Sequence, residues 1–176
     1  MTTMKSKKDN IAEYILYLWQ MEDYLRAFPN QAGATPELSE LNEMMHREGI
    51  TESGHLQLAA VALAEMEELH AQLSDEDALY RAAVIRLKPQ LNLLKAKTDR
   101  PTMSDIEACL ILLYQIMLLR LQKKEITQET AQVQEQATQL LRFISRTYQN
   151  PLQQVLRAST GRPIEQSSSP AQGREK

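Results

Sequence analysis

Each of the three histidines follows a glutamate by three residues. The pairs are Glu43/His46, Glu52/His55 and Glu67/His70. Residues three apart on a helix share one face, so both side chains of a pair can reach the same ion. Two Glu-x-x-His helices, together with single glutamates from two further helices, form the ligand set of ferritin-like di-iron bundles. The spacing therefore raises the hypothesis of a metal site inside a helical bundle.

Helical projection argues against most of that set. At 100° per residue, Glu43 and His46 point away from the apolar stripe of their helix and should face solvent. His70 lies near the centre of the apolar stripe of the next helix, with Glu67 at the edge of that stripe. His55 faces the same way as His70, but roughly 22 Å separates the two along the helix, which is too far for a shared metal. Glu67 and His70 remain as the metal candidates, and we predict no catalytic residues, no resident metal and no other cofactor.

Glu22 is a carboxylate on the inward stripe of the first predicted helix. It lies between Leu18 and Leu25, and burying its charge is costly without a partner. Arg26, one turn away, and Arg120, at the end of the fifth helix, are the candidate cations. We favour a paired carboxylate at the edge of the core over a site acid with a perturbed pKa.

The inward-facing polar residues form one predicted cluster if the first and third helices pack together. Its members are Glu22, His55, His70 and Arg120. Buried polar groups require partners, so we expect one carboxylate–imidazole pair here to hold two segments together. Trp19, on the flank of the first helix, is either packing at the core edge or an anchor for a partner.

The apolar pattern predicts an all-α fold. We expect a single-domain bundle of about six helices over residues 9–150, with a loosely ordered basic leader at 1–8 and a mostly disordered tail at 151–176. A short helix around Leu152 to Leu156 is compatible with the tail sequence. From Ser159 onward its composition cannot form a core, so we expect the tail to be dispensable for folding.

Capping residues predict where the helices begin. The expected starts are Asp9, Thr35, Thr51, the acidic run Ser74–Asp77, Ser104 and Thr127. The first helix should end at Phe28 and the second at Gly49. Pro89 should kink or restart the fourth helix, whose Leu79 we expect to be buried. The fifth helix, about 105–125, is apolar nearly all round and should be central.

Composition and charge exclude several functions. The longest apolar run, from Ala108 to Leu119, is twelve residues, whereas a membrane span needs about twenty. The chain carries a net charge of −3, and its body without the basic leader and tail is more acidic, which disfavours nucleic acid as a partner. The single cysteine, Cys109, fits the core of a protein in a reducing cytoplasm.

Three stretches of the sequence resemble a bacterial family. They are Asn10–Tyr14 running into Leu18–Asp23, then Met44–Met45 through Gly54–Gln57, and Leu119–Ile126. Together they resemble an all-helical family that is classed only as a domain of unknown function, over roughly Lys8 to Tyr148. The resemblance implies an α-helical bacterial cytosolic protein and supplies no catalytic residues.

Two functional hypotheses follow. The preferred one is a non-catalytic helical interaction or scaffold protein of the bacterial cytosol, whose partner is another protein or a second copy of the chain. Its helices are rich in Met and Leu, which make adaptable apolar contacts. The alternative is a small helical metal-binding protein or enzyme that uses Glu22, Glu67 and His70.

Overall fold

The structure is a computed structural model that describes residues 6–150, and these residues form one all-helical domain. The leader and tail predictions that fall on 1–5 and 151–176 lie outside the described residues. Six α-helices follow one another, with a short 3-10 turn at Pro29–Gln31 after the first: α1 Ile11–Ala27, α2 Pro36–Glu48, α3 Gln57–Glu76, α4 Ala78–Lys97, α5 Asp105–Leu121 and α6 Gln128–Gln149. The predicted fold class is confirmed.

Side-chain caps begin five of the six helices. Asn10 accepts a hydrogen bond from the backbone N–H of Glu13, and Thr35, Asp77, Ser104 and Thr127 cap their helices in the same way. Asp9 is not the cap of α1, because its carboxylate accepts hydrogen bonds from Ser6. The acidic run from Ser74 is not a helix start either. It completes α3, and only Asp77 caps α4.

The third helix begins later than the sequence indicates. α3 starts at Gln57, without a side-chain cap, and a loop separates it from Gly49, the αL cap that ends α2. Gly54 in this loop has a φ of 96°, a conformation that residues with a Cβ rarely adopt. Residues 50–56 therefore form a loop, and the helix start that we expected at Thr51 is wrong.

Pro89 does not end or restart the fourth helix, since α4 runs from Ala78 to Lys97 with Pro89 inside it. The proline ring removes the N–H that would bind the carbonyl of Ile85. Both residues lie on the solvent side of α4, where water can bind the freed carbonyl. The position of the proline on the outer side explains why the helix tolerates it.

The core is made from one apolar face of each helix. α5 contacts α1, α3, α4 and α6, and its first half buries Ile106, Cys109 and Leu110 completely. Its second half emerges from the core, where Leu118 and Leu121 are exposed. Leu79, which we expected to be buried, is also exposed, and so is Phe28 at the end of the first helix. Among the described helices, none combines the length and the apolar character that crossing a membrane requires.

A buried and an exposed residue of α5 provide a matched test of the core. Ile116 is 2% exposed and Leu121 is 64% exposed. We expect Ile116→Asp to abolish soluble folding, because it leaves an unpaired charge among apolar neighbours at a cost above about 3 kcal/mol. Leu121→Asp is the control and should change the free energy of unfolding by less than about 0.5 kcal/mol. Soluble expression and circular dichroism would measure both, and a well-folded Ile116→Asp protein would contradict the core assignment.

Candidate functional site

Glu22 is buried at the junction of α1 with the loop that leads into α3. It is 1% exposed, and both of its carboxylate oxygens have partners. Oε2 lies 2.7 Å from Nδ1 of His55, and Oε1 accepts the backbone N–H of Leu56 at 2.8 Å. Two short hydrogen bonds therefore offset the desolvation of the carboxylate.

His55 covers Trp19 from the solvent side. The imidazole stacks on the indole at a centroid distance of 4.8 Å and an interplanar angle of 27°, and the edge of Tyr114 approaches the indole at 6.0 Å. The histidine side chain is 51% exposed, and its Nδ1 is engaged by Glu22. Nε2 is therefore the nitrogen left for solvent, while Trp19 is buried and packs as part of the core.

Arg26 fixes the same loop from one turn further along α1. Its guanidinium donates to the carbonyl oxygens of Ile50 and Gly54 and contacts the carboxylate of Asp23. Arg26 was one of two candidate cations for Glu22, but in the structure its guanidinium binds the loop carbonyls and Asp23 instead. Tyr114 also reaches Asp23, so α5 is joined to this junction.

The other predicted site residues lie elsewhere. His70 Nδ1 lies 2.6 Å from the Tyr80 hydroxyl, Glu67 accepts the Ser104 hydroxyl at 2.5 Å, and Arg120 donates to Gln134 on α6. The structure thus pairs Glu22 with His55 and does not bring His70 or Arg120 to them. α1 packs against α3, but Glu22, His55 and His70 do not meet in one contact between these helices.

A polar cluster surrounds His70 between α3, α4 and the start of α5. Asp105 is bound by Lys88 at 2.6 Å and Lys95 at 2.7 Å. Burial alone would raise the pKa of Asp105, but its hydrogen bonds to the two lysines outweigh burial and lower it. Burial lowers the pKa of His70, and the nearby carboxylates of Asp105 and Glu67 only partly oppose this. His70 is therefore a neutral imidazole hydrogen-bonded to Tyr80.

Neither polar cluster has the parts of a metal centre or of a nucleophilic site. Within residues 6–150, no three His, Cys, Asp or Glu side chains are close enough together to hold an ion. Cys109 is fully buried, and burial raises the pKa of its thiol to about 12, which makes the thiolate inaccessible at neutral pH. The Glu22–His55 pair has the hydrogen bond of an acid–base dyad, and its geometry serves equally to hold the loop.

The outer side of α4 carries an apolar stripe that the sequence analysis missed. Seven apolar residues of α4 are exposed, and we call them the α4 outer face: Ala78, Leu79, Ala82, Ile85, Pro89, Leu93 and Ala96. From Leu79 onward they follow one another at intervals of three or four residues, and Ala78 lies one turn before Ala82, which places them all on one side of the helix. Leu79, Ile85 and Leu93 are exposed over 82%, 66% and 56% of their surface.

A groove continues this face onto α6. It has a volume of about 150 Å³ and lies between Leu79, Ala83 and Arg86 on one side and Gln136, Gln139 and Phe143 on the other. Leu79 belongs to both features. The α4 outer face and the groove therefore form one surface that is apolar along its length, with polar side chains at its edge.

A comparison with family models identifies the chain. The model described as "Domain of unknown function (DUF4924)" matches residues 1–37 and 29–154. The chain belongs to this family. Neither the curated proteins nor the solved structures contain a match to the chain. Membership of DUF4924 agrees with the resemblance found in the sequence and assigns no activity.

The buried carboxylate gives the first test of this site. We expect Glu22→Gln to lower the free energy of unfolding by about 1–3 kcal/mol, because the amide loses the charge-assisted hydrogen bond to His55 while remaining close in shape. Glu43→Gln, on the exposed side of α2, is the control and should be neutral. Urea unfolding would measure both, and an unchanged Glu22→Gln protein would show that the pair does not hold the loop.

The histidine that is bound to Tyr80 predicts a pH dependence. Because burial lowers the pKa of His70 below 6.5, the unfolded chain takes up this proton first as the pH falls. The stabilising contribution is complete above pH 6.5 and is lost as the pH falls to and through the lowered pKa. We expect His70→Gln to lose less stability than the wild type between about pH 8 and about pH 5.5. The exposed His46→Gln should follow the wild type, and equal losses in all three proteins would contradict the assignment.

Proposed function

We propose that this chain is a non-catalytic helical interaction protein that docks a partner on the α4 outer face. One observation carries the proposal: the face is a continuous exposed apolar stripe on an otherwise well-packed helix. A solvated helix face is ordinarily polar, and contiguous apolar surface on a soluble domain marks a site of interaction. The spacing of its residues suits an amphipathic helix of the partner, which would supply its own stripe.

The charges beside the face define the partner further. α4 has five basic residues, namely Arg81, Arg86, Lys88, Lys95 and Lys97, and no acidic residue. Lys88 and Lys95 are paired with Asp105, while Arg86 and Lys97 are exposed beside the stripe. A partner helix with glutamates or aspartates beside its apolar stripe would complement them.

A protein partner fits this surface better than a membrane does. The whole chain carries a net charge of −3, so with +5 on α4 the remainder carries −8 and is repelled by an anionic bilayer. The stripe also contains three alanines and no aromatic residue. Small side chains allow a second helix to approach closely, whereas interfacial helices insert large apolar and aromatic side chains.

The size of the face predicts a transient complex. The distance from Ala78 to Ala96 along the axis is about 27 Å, so one helix face buries less than the about 800 Å² per partner of a stable complex. Micromolar affinity is the expectation. We further infer that the interaction takes place in the cytosol of a bacterial cell, which the single buried thiol and the family resemblance support.

A designed peptide probe tests the proposal. The probe is a fluorescent amphipathic helix with a Leu/Ala stripe and glutamate flanks, and its anisotropy reports binding. We expect micromolar binding that weakens at least about tenfold for Ile85→Asp or Leu93→Asp, because either change places a charge in the apolar contact. Leu121→Asp, exposed on α5, is the matched control and should bind as the wild type does.

Two further results would overturn the proposal. The first is equal binding of the peptide by the wild type and both α4 variants. The second is binding of the wild type, but not of Ile85→Asp, to phosphatidylglycerol vesicles in the absence of any peptide binding. That second result would assign the face to a membrane surface.

A further inference from the structure

Charge is segregated between the two helices of one hairpin. α3 carries five acidic residues, Glu65, Glu67, Glu68, Asp75 and Glu76, and neither Lys nor Arg. α4 carries five basic residues and neither Asp nor Glu. A single residue, Asp77, separates the two helices. α3 is therefore an acidic helix, and its charge is complementary to the basic residues beside the α4 outer face.

The exposed side of α3 also has an apolar patch. Leu58 and Val61 are exposed over 44% and 43% of their surface, and Ala60 and Ala64 beside them are exposed as well. We call these four residues the α3 patch. Glu68 lies one turn beyond Ala64 on the same side and is exposed. Glu65 and Glu67, which flank this side, are partly buried and bind Lys7 and Ser104.

The α3 patch and the α4 outer face cannot meet within one chain. α3 turns Ala62, Leu69 and Leu73 into the core, and α4 turns Tyr80, Leu87 and Leu94 into it. The two helices contact each other, so their exposed stripes lie on the sides that face away from the core. Within residues 6–150, both stripes are exposed and no other segment covers them.

We propose that the α4 outer face of one molecule packs on the α3 patch of a second copy. This inference rests on the proposed function and names the partner helix. The contact joins apolar stripes and places basic α4 flanks beside the acidic residues of α3, so attraction between opposite charges adds to apolar burial. Pairing α4 with α4 across a two-fold axis would instead bring two helices of charge +5 together.

This contact is heterologous, because it uses two different surfaces. Each molecule keeps one unused surface after the first contact, so association continues into rings or linear chains. Its strength falls with added salt, since the flanking charges are exposed and screened over about 10 Å at 0.1 M ionic strength. A two-fold dimer would stop at two molecules.

Mixing two singly blocked variants of the full chain tests this geometry. Leu93→Asp blocks the α4 outer face and Val61→Arg blocks the α3 patch. Sedimentation velocity should give concentration-dependent species larger than a dimer for the wild type and for Leu121→Asp. Each blocked variant alone should remain monomeric, whereas their equimolar mixture should form dimers and nothing larger, because one intact surface of each kind remains. Circular dichroism of each variant checks that it is folded.

The outcomes separate this inference from the proposed function. A wild type that stays monomeric at hundreds of micromolar, yet binds the glutamate-flanked peptide, overturns self-association and leaves the docking role of α4 in place. Wild-type dimers that the mixture of variants fails to reproduce overturn the heterologous geometry. Association that is unaffected by Leu93→Asp and Val61→Arg overturns both surfaces as its cause.

Discussion

The carboxylate of Glu22 is a charge that the core of this protein must accommodate. Its desolvation costs several kcal/mol unless hydrogen bonds replace those to water, and the α2–α3 loop supplies them through His55 and the N–H of Leu56. Arg26 adds three hydrogen bonds to two carbonyls of the same loop. The irregular segment before α3 is thereby fixed to α1, and this sets where α3, and with it the acidic side of the hairpin, lies in the bundle.

The helices of the α3–α4 hairpin are apolar on two sides, one buried in the core and one exposed. Both helices contribute buried side chains to the core, and both keep apolar side chains on the opposite side. Opposite charges on adjacent helices also attract each other, which favours the hairpin within one chain. The same segregation leaves acidic side chains of α3 and basic side chains of α4 exposed on the outside of the hairpin.

The sequence allowed the helices to be predicted far better than their faces. Caps such as Thr35 and Ser104 are local signals, because the side chain bonds to a backbone N–H three residues away. The orientation of α4 is not a local property. Apolar residues occur on two of its sides, so periodicity alone placed Leu79 in the core, whereas packing against α3 and α6 turns Tyr80 inward and leaves Leu79 exposed.

For the polar residues too, local properties could be predicted from the sequence and contacts between distant segments could not. Burial of Glu22 could be predicted from Leu18 and Leu25 around it, since all three lie on one helical stripe. The sequence offered His55 and His70 as imidazole partners for Glu22 but could not choose between them, because His55 lies in a loop whose path depends on Gly54 and on two carbonyls bound by Arg26. His70 and Arg120 had the right chemistry for the cluster, but a distance across helices is fixed only when the bundle is assembled.

Charge segregation was visible in the sequence but had no meaning without the fold. A run of acids in Glu65–Glu76 followed by a run of bases in Arg81–Lys97 is equally compatible with an internal ion-pair network. In the structure three basic side chains of α4 have other partners. Lys88 and Lys95 bind Asp105 on α5, and Arg81 donates to the backbone carbonyls of Ser74 and Asp75. None of the ion pairs found in residues 6–150 joins α3 to α4. The acidic side chains of α3 therefore do not neutralise the basic side chains of α4 by direct contact, and Arg86, Lys97 and Glu68 remain exposed on the outside of the hairpin.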